Sequence, residues 1–156
     1  MFLKQEKPLK NTMKGHKFFF VDTNIFLRLI ARDDEKQYQE CLQVMNKVRE
    51  EKFQAFTSPL VLAEVQWTLG KFYQLKKDEI IRAMQAILSL RNLKIIEDAD
   101  FQTAVTLYTS HSIKFVDCLI ASHFSILQGT LQILSYDKEF DKIKGVERVE
   151  PKKILS

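Results

Sequence analysis

Cysteine is scarce in this chain: only Cys41 and Cys118 occur, with no CxxC pair and no histidine at zinc-finger spacing. That excludes a disulfide scaffold and a structural zinc site, and suits a reducing, cytoplasmic setting. Glycine is too thinly spread for a phosphate-cradling loop. Gly15, Gly70, Gly129 and Gly145 stand singly, so neither a P-loop nor a dinucleotide fingerprint is present. No GxSxG elbow occurs, which removes the usual serine-hydrolase turn. His16, His111 and His123 are not at ligand spacing and are expected at the surface or in packing. No long hydrophobic run exists either, because Lys, Arg, Asp or Glu interrupts each candidate before membrane-spanning length. The opening MFLKQEKPLKNTMKGHK lacks the apolar core of a secretory signal.

The net charge of +4 suggests nucleic acid, but its location weakens that suggestion. Lys4, Lys7, Lys10, Lys14 and Lys17 face only Glu6 in residues 1–17, and the remaining 19 basic and 19 acidic residues cancel. Residues 1–16 are therefore expected to form a basic, flexible arm able to reach phosphates. Residues 17–156 read as one domain, long enough to bury a core. Met13 is a second candidate start.

From Lys17 onward, strand-like and helix-like segments alternate. Strands are expected at Phe18–Val21, Gln54–Thr57, Lys94–Ile96, Leu131–Ser135 and Val146–Val149. Helices are expected near Asn24–Ala31, Glu35–Lys52, Pro59–Gln74, Asp78–Leu90, Ala99–His111 and Phe115–Gln128. Ser58 followed by Pro59 reads as an N-cap and first helical residue, and Gly129 as a helix stop. This alternation implies an α/β domain with a mostly parallel sheet covered on both faces. In such sheets ligands bind beyond the carboxyl ends of the strands. The aromatic residues, twelve phenylalanines among them, are scattered at helical and strand spacing and are expected to serve the core more than a base-stacking platform. Trp67, Phe72 and Tyr73 suit the core, a subunit seam or a partner groove.

That rule makes certain acids conspicuous. Asp22 follows the apolar run FFFV and would sit at a strand's carboxyl end, although it could equally cap the next helix. Glu64 lies inside the helical stretch SPLVLAEVQWTL, with no basic residue three or four positions away to pair with it. A carboxylate on an apolar face is costly unless it is compensated. Asp117 sits among Phe115, Val116, Cys118, Leu119 and Ile120, near a helix start where the dipole favours an anion. Asp137 follows the strand LQILS, with Asp141 as the alternative fourth acid. Asp33, Asp34, Glu50, Glu51, Glu79, Glu97 and Asp98 lie in polar company and read as solvated charges or caps.

If those acids share one crevice, their repulsion demands a cation. An all-oxygen cluster without Cys or His suits Mg²⁺ or Mn²⁺, with Asp22 and Asp117 as the metal residues. Such an ion is suited to phosphate esters: it polarises a phosphoryl oxygen and acidifies a bound water. Glu64 or Asp137 could instead bind through water and act as general base. Asn24, Arg28 and Ser135 are candidate substrate contacts.

VDTNIFLRL, AEV within a helix, FVDCLIA and LSYDKEFDKIKGV together resemble the PIN domain, most of all the single-domain VapC-like toxins of toxin–antitoxin pairs. The likeness runs from about Phe18 to Pro151. Its acids fall on Asp22, Glu64, Asp117 and Asp137, and its hydroxyl residue on Ser135. The resemblance implies a three-layer α/β/α sandwich with a central four- to five-stranded sheet. It also implies Mg²⁺-dependent endoribonuclease activity, a homodimer, and a cognate antitoxin whose tail blocks the acidic site. The basic arm departs from the family pattern. Two other readings stay open: an aspartate phosphotransferase, in which Asn24 stands where a second acid is usual, and a silent nucleic-acid-binding module.

Overall fold

A computed structural model describes residues 17–156; the expected basic arm lies outside them. The first strand, β1 (Lys17–Val21), leads into helices α1 (Thr23–Ala31) and α2 (Glu35–Arg49). Strand β2 (Phe53–Thr57) is followed by α3 (Pro59–Lys71) and α4 (Lys77–Leu88). Strand β3 (Leu93–Ile95) precedes α5 (Phe101–Ser110), α6 (Phe115–Ala121) and α7 (Phe124–Leu127). Strand β4 (Gln132–Leu134), a 3₁₀ turn (Lys138–Lys142), β5 (Arg148–Val149) and α8 (Pro151–Leu155) complete the chain.

All strand pairings are parallel, in the order β3-β2-β1-β4-β5. The expected mostly parallel sheet is thus a five-stranded, all-parallel one flanked by helices. Strand β1 is central, and its Phe19, Phe20 and Val21 are buried, as a strand covered on both faces must be. They pack with Ile25, Phe26, Val44, Val65, Ile133 and Phe140 in one main core. A smaller cluster of Ala104, Ile113, Cys118, Leu119, Ala121 and Ile143 seats α5 and α6. The chain leaves β1 towards β2 and β3 on one side and reaches β4 and β5 on the other. The strand order therefore reverses beside β1, and a ligand crevice forms at such a point.

Two expectations need correction. The single helix Phe115–Gln128 is broken into α6 and α7. Ser122 turns its hydroxyl onto the Leu119 carbonyl at 2.7 Å and accepts the Asp100 amide at 3.0 Å. His123 is buried with its Nδ1 2.6 Å from Asp98, so the chain turns there instead of continuing. The aromatic residues are also not all core. Phe19, Phe20, Phe26, Phe53 and Phe140 are, whereas Trp67, Phe72, Phe101, Tyr108, Phe115 and Phe124 are exposed. Gly129 does follow the helical segment, at φ 67°, a left-handed conformation that glycine adopts without penalty.

Candidate active site

Asp22 ends β1 and caps α1, so the two readings of it coincide: its Oδ1 accepts the Thr23 amide at 2.8 Å. Its Oδ2 accepts from Asn24 Nδ2 at 2.8 Å and from Ser135 Oγ at 2.6 Å. Ser135 stands just past β4, across the reversal of strand order. Its hydroxyl also accepts from Asn24 Nδ2 at 2.8 Å and from the Asp137 amide at 2.9 Å. Asn24 Oδ1 in turn accepts the Tyr136 amide at 3.1 Å. These bonds fix Asp22, Asn24, Ser135 and Asp137 relative to one another. Asn24 and Ser135, expected as substrate contacts, both hold the Asp22 carboxyl.

Glu64 lies on α3, half-buried beside the inward stripe of Val61, Val65 and Leu69. Its compensation comes from Thr23, which donates its hydroxyl to Glu64 Oε2. Thr23 belongs to the VDTN stretch but not to the expected site residues; its place immediately after Asp22 is the signal that marks it. Asp117 lies in the first turn of α6 and is 5% exposed. Its Oδ2 is buried and has no hydrogen-bond partner, a condition native structures rarely leave unexplained.

The carboxyls also act on one another through their charge. Burial pushes the Asp22 carboxyl up to about 6, against the hydrogen bonds from Ser135 and Thr23, and repulsion from Glu64 and Asp137 adds to the rise. Burial lifts Asp117 to about 7, assisted by Asp22, Asp137 and Glu64 and opposed by Lys114. Each of the four acids is thus felt by another across the crevice.

Asp141 is placed differently. Arg148 grips it with Nε at 2.9 Å and Nη2 at 3.0 Å, which holds its carboxyl below the usual range. Asp137 instead accepts the Glu139 amide at 2.9 Å at the start of the 3₁₀ turn, with Ser135 behind it. Arg28 donates from Nη1 to both Asp33 carboxylate oxygens, at 2.8 and 2.9 Å, and from Nε to Gln37 Oε1. A phosphate contact would have to displace those partners. Of the acids expected to be solvated or capping, Asp34 caps α2 through the Gln37 amide, and Asp98 has the buried His123 as partner.

Among the described residues, no three His, Cys, Asp or Glu side chains stand close enough to hold a metal ion between them. The crevice is acidic without being a closed coordination shell. Its donor set still fits a hard cation. Mg²⁺ usually retains several waters and takes one or two carboxylates from the protein, and the orphaned Asp117 Oδ2 is such a donor. Among the described residues, no helix is long and apolar enough to cross a membrane.

No curated protein matches the chain in sequence. Among solved structures it resembles VapBC2 from Rickettsia felis, solved bound to a DNA fragment from their promoter. That match has 22% identity and a TM-score of 0.61, covering 85% of this chain and 97% of that one. PAE2754 from Pyrobaculum aerophilum matches at 19% identity and TM-score 0.61, over 89% and 93% of the two chains. VapC20 of Mycobacterium tuberculosis, a sarcin–ricin loop cleaving toxin, matches at 17% identity and TM-score 0.60, over 82% and 98%. At these identities the likeness establishes the fold. The PIN domain family model itself matches residues 19–146, the span from β1 to the approach to β5 that carries all four acids, and the chain belongs to the PIN domain family.

Proposed function

We infer that this chain is a divalent-metal-dependent endoribonuclease and the toxin of a toxin–antitoxin pair. The observation that carries the reading is the buried, unpartnered Asp117 Oδ2, set in a crevice whose other acids raise its proton affinity. Carboxylates held against their own repulsion store a demand for positive charge, and a cation meets it. Asp22 and Asp117 would hold Mg²⁺ or Mn²⁺, which polarises a phosphoryl oxygen and acidifies a bound water. Ser135, Asn24 and the Thr23 amide orient Asp22. Thr23 holds Glu64 at the crevice edge, where its carboxylate can take a proton from the attacking water. Asp137 is the second candidate for that role.

The likeness to VapC structures, one of them described as cleaving the sarcin–ricin loop, favours RNA as the polymer. The neighbours solved as toxin–antitoxin complexes favour a cognate antitoxin. Exposed Trp67 and Phe72 suit that partner or the second subunit of a homodimer, and the setting would be the cytoplasm. The phosphotransferase reading is disfavoured: Asp22 Oδ2 already accepts two hydrogen bonds, and Asn24 is occupied in making one of them.

The test pairs a calorimetric Mn²⁺ titration of wild type and Asp117→Asn with an RNA cleavage assay in the presence and absence of EDTA. Saturable binding lost in the variant, together with cleavage abolished by EDTA, is expected. Cleavage that survives EDTA, or that Asp117→Asn retains in full, overturns the assignment.

A further inference from the structure

A cleft of about 460 Å³ opens between the end of α5, the loop leading into α6 and the 3₁₀ turn, lined by Tyr108, His111, Ser112, Ile113, Lys114 and Glu139. Neither site acid lines it, but each follows or precedes a lining residue closely along the chain. Lys114 directly precedes α6, and its carbonyl accepts the Asp117 amide at 3.1 Å. Glu139 donates its amide to Asp137 Oδ1 at 2.9 Å. The cleft is thus one helical turn from Asp117 and two residues from Asp137, beside the crevice and outside it. Its volume lies in the range of small-ligand sites.

The lining is of mixed chemistry. Lys142 answers the charge of Glu139, with Nζ 2.8 and 2.9 Å from its two oxygens. Lys114 is exposed and forms no ion pair among the described residues, and Asp117 feels its charge. Tyr108 is 54% exposed, and Phe115 holds its ring edge-on at a centroid distance of 5.5 Å. An aromatic ring fixed by a neighbour and left open to solvent suits the flat face of a base. His111 bonds the Leu107 carbonyl through Nδ1 at 3.0 Å, which leaves Nε2 available.

We propose that this cleft is a subsite for a single-stranded RNA nucleotide flanking the scissile phosphate, with Lys114 taking its phosphate and Tyr108 stacking on its base. The proposal rests on the ribonuclease reading above. It gives the exposed pair Tyr108 and Phe115 a ligand, and it supplies positive charge beside a crevice that would otherwise repel the polymer it cuts.

The test measures fluorescence anisotropy of a labelled 12-nucleotide single-stranded RNA with wild type, Lys114→Ala and Tyr108→Ala, in EDTA so that nothing is cut. An abasic oligonucleotide is run in parallel, and the mass of each protein is measured by light scattering. Lys114→Ala should weaken binding and lower the slope of log affinity against log salt by about 0.7. Tyr108→Ala should weaken binding about 5-fold or more and abolish the preference for the base-bearing strand. Wild-type binding with both variants unchanged overturns the subsite and leaves the nuclease reading standing. No RNA binding or cleavage by wild type overturns both. A Tyr108→Ala protein that changes mass while binding RNA normally assigns the ring to a contact between copies, and the subsite falls.

Discussion

Ser135 Oγ donates a 2.6 Å hydrogen bond to Asp22 Oδ2 and so ties the ends of β4 and β1 together where the strand order reverses. The same oxygen accepts from Asn24 and from the Asp137 amide, and it is fully buried. Ser135→Ala should therefore lose more than one bond, since it removes a donor to the buried Asp22 carboxyl and an acceptor for the half-buried Asn24 and Asp137 N–H groups. Stability should fall by about 1–3 kcal/mol in a thermal melt, and Mn²⁺ affinity should fall with it because Asp22 is no longer oriented. Ser135→Thr, which keeps the hydroxyl, should restore most of the affinity. An alanine variant that binds Mn²⁺ as wild type does would show that Asp22 needs no such support.

Asp117 should make the metal-free protein less stable as pH rises. Its carboxyl sits at about 7 in the fold against an ordinary value of 3.8, so the folded state holds the proton more tightly than the unfolded chain. The contribution is then fully present below about pH 4 and is lost as pH rises through 7. Asp22, raised to about 6 by the same burial, acts in the same direction. Urea melts in EDTA should show wild-type stability declining between pH 4 and 7, on the order of a few kcal/mol. Asp117→Asn should flatten much of that decline and be the more stable protein at pH 7.5. Equal slopes for the two proteins would mean that Asp117 is not strained by its surroundings.

How much of this was legible in the sequence depends on how local the signal is. The apolar run Phe18–Val21 and the Ser58–Pro59 start each record a local preference, and both elements are where that preference places them. The break at Ser122–His123 is not local. It follows from Asp98 and Asp100, more than 20 residues upstream, reaching back to bond that turn. Helix α8 went unread because five residues with two lysines show no periodicity; its order comes from burying Pro151 and Ile154. The acids stood out by their apolar neighbours, but their partners did not. Nothing in the one-dimensional pattern says that Thr23 meets Glu64 or that Asn24 meets Ser135, because α3 and β4 are brought to β1 only by the crossovers.

Glu64 and Thr23 should separate chemistry from metal binding. Glu64→Gln keeps the shape and can still accept the Thr23 hydroxyl, but it removes the base. RNA cleavage should drop about 10²- to 10⁴-fold, the usual range for losing a general base, while Mn²⁺ affinity changes far less. Thr23→Val should give a smaller loss of the same kind, seen in turnover more than in the metal titration. A Glu64→Gln protein with normal turnover would move the base to Asp137.

Asp137 and Asp141 should respond in opposite ways, although only four residues separate them. Asp141 is bound by Arg148, whose nearly buried guanidinium also donates to the Ser135 carbonyl at 2.9 Å and to Glu150 at 3.1 Å. Asp141→Asn weakens that grip, so it should lower the melting temperature while leaving RNA cleavage near wild type. Asp137 adds to the repulsion on Asp22 and Asp117, and its removal relieves charge in the crevice. Asp137→Asn should therefore leave the metal-free protein as stable as wild type or more so, and should cut turnover at least tenfold. Melting curves and single-turnover cleavage on the two variants decide the matter. If Asp141→Asn is the inactive one, Arg148 is an active-site residue and the fourth acid has been misplaced by one turn.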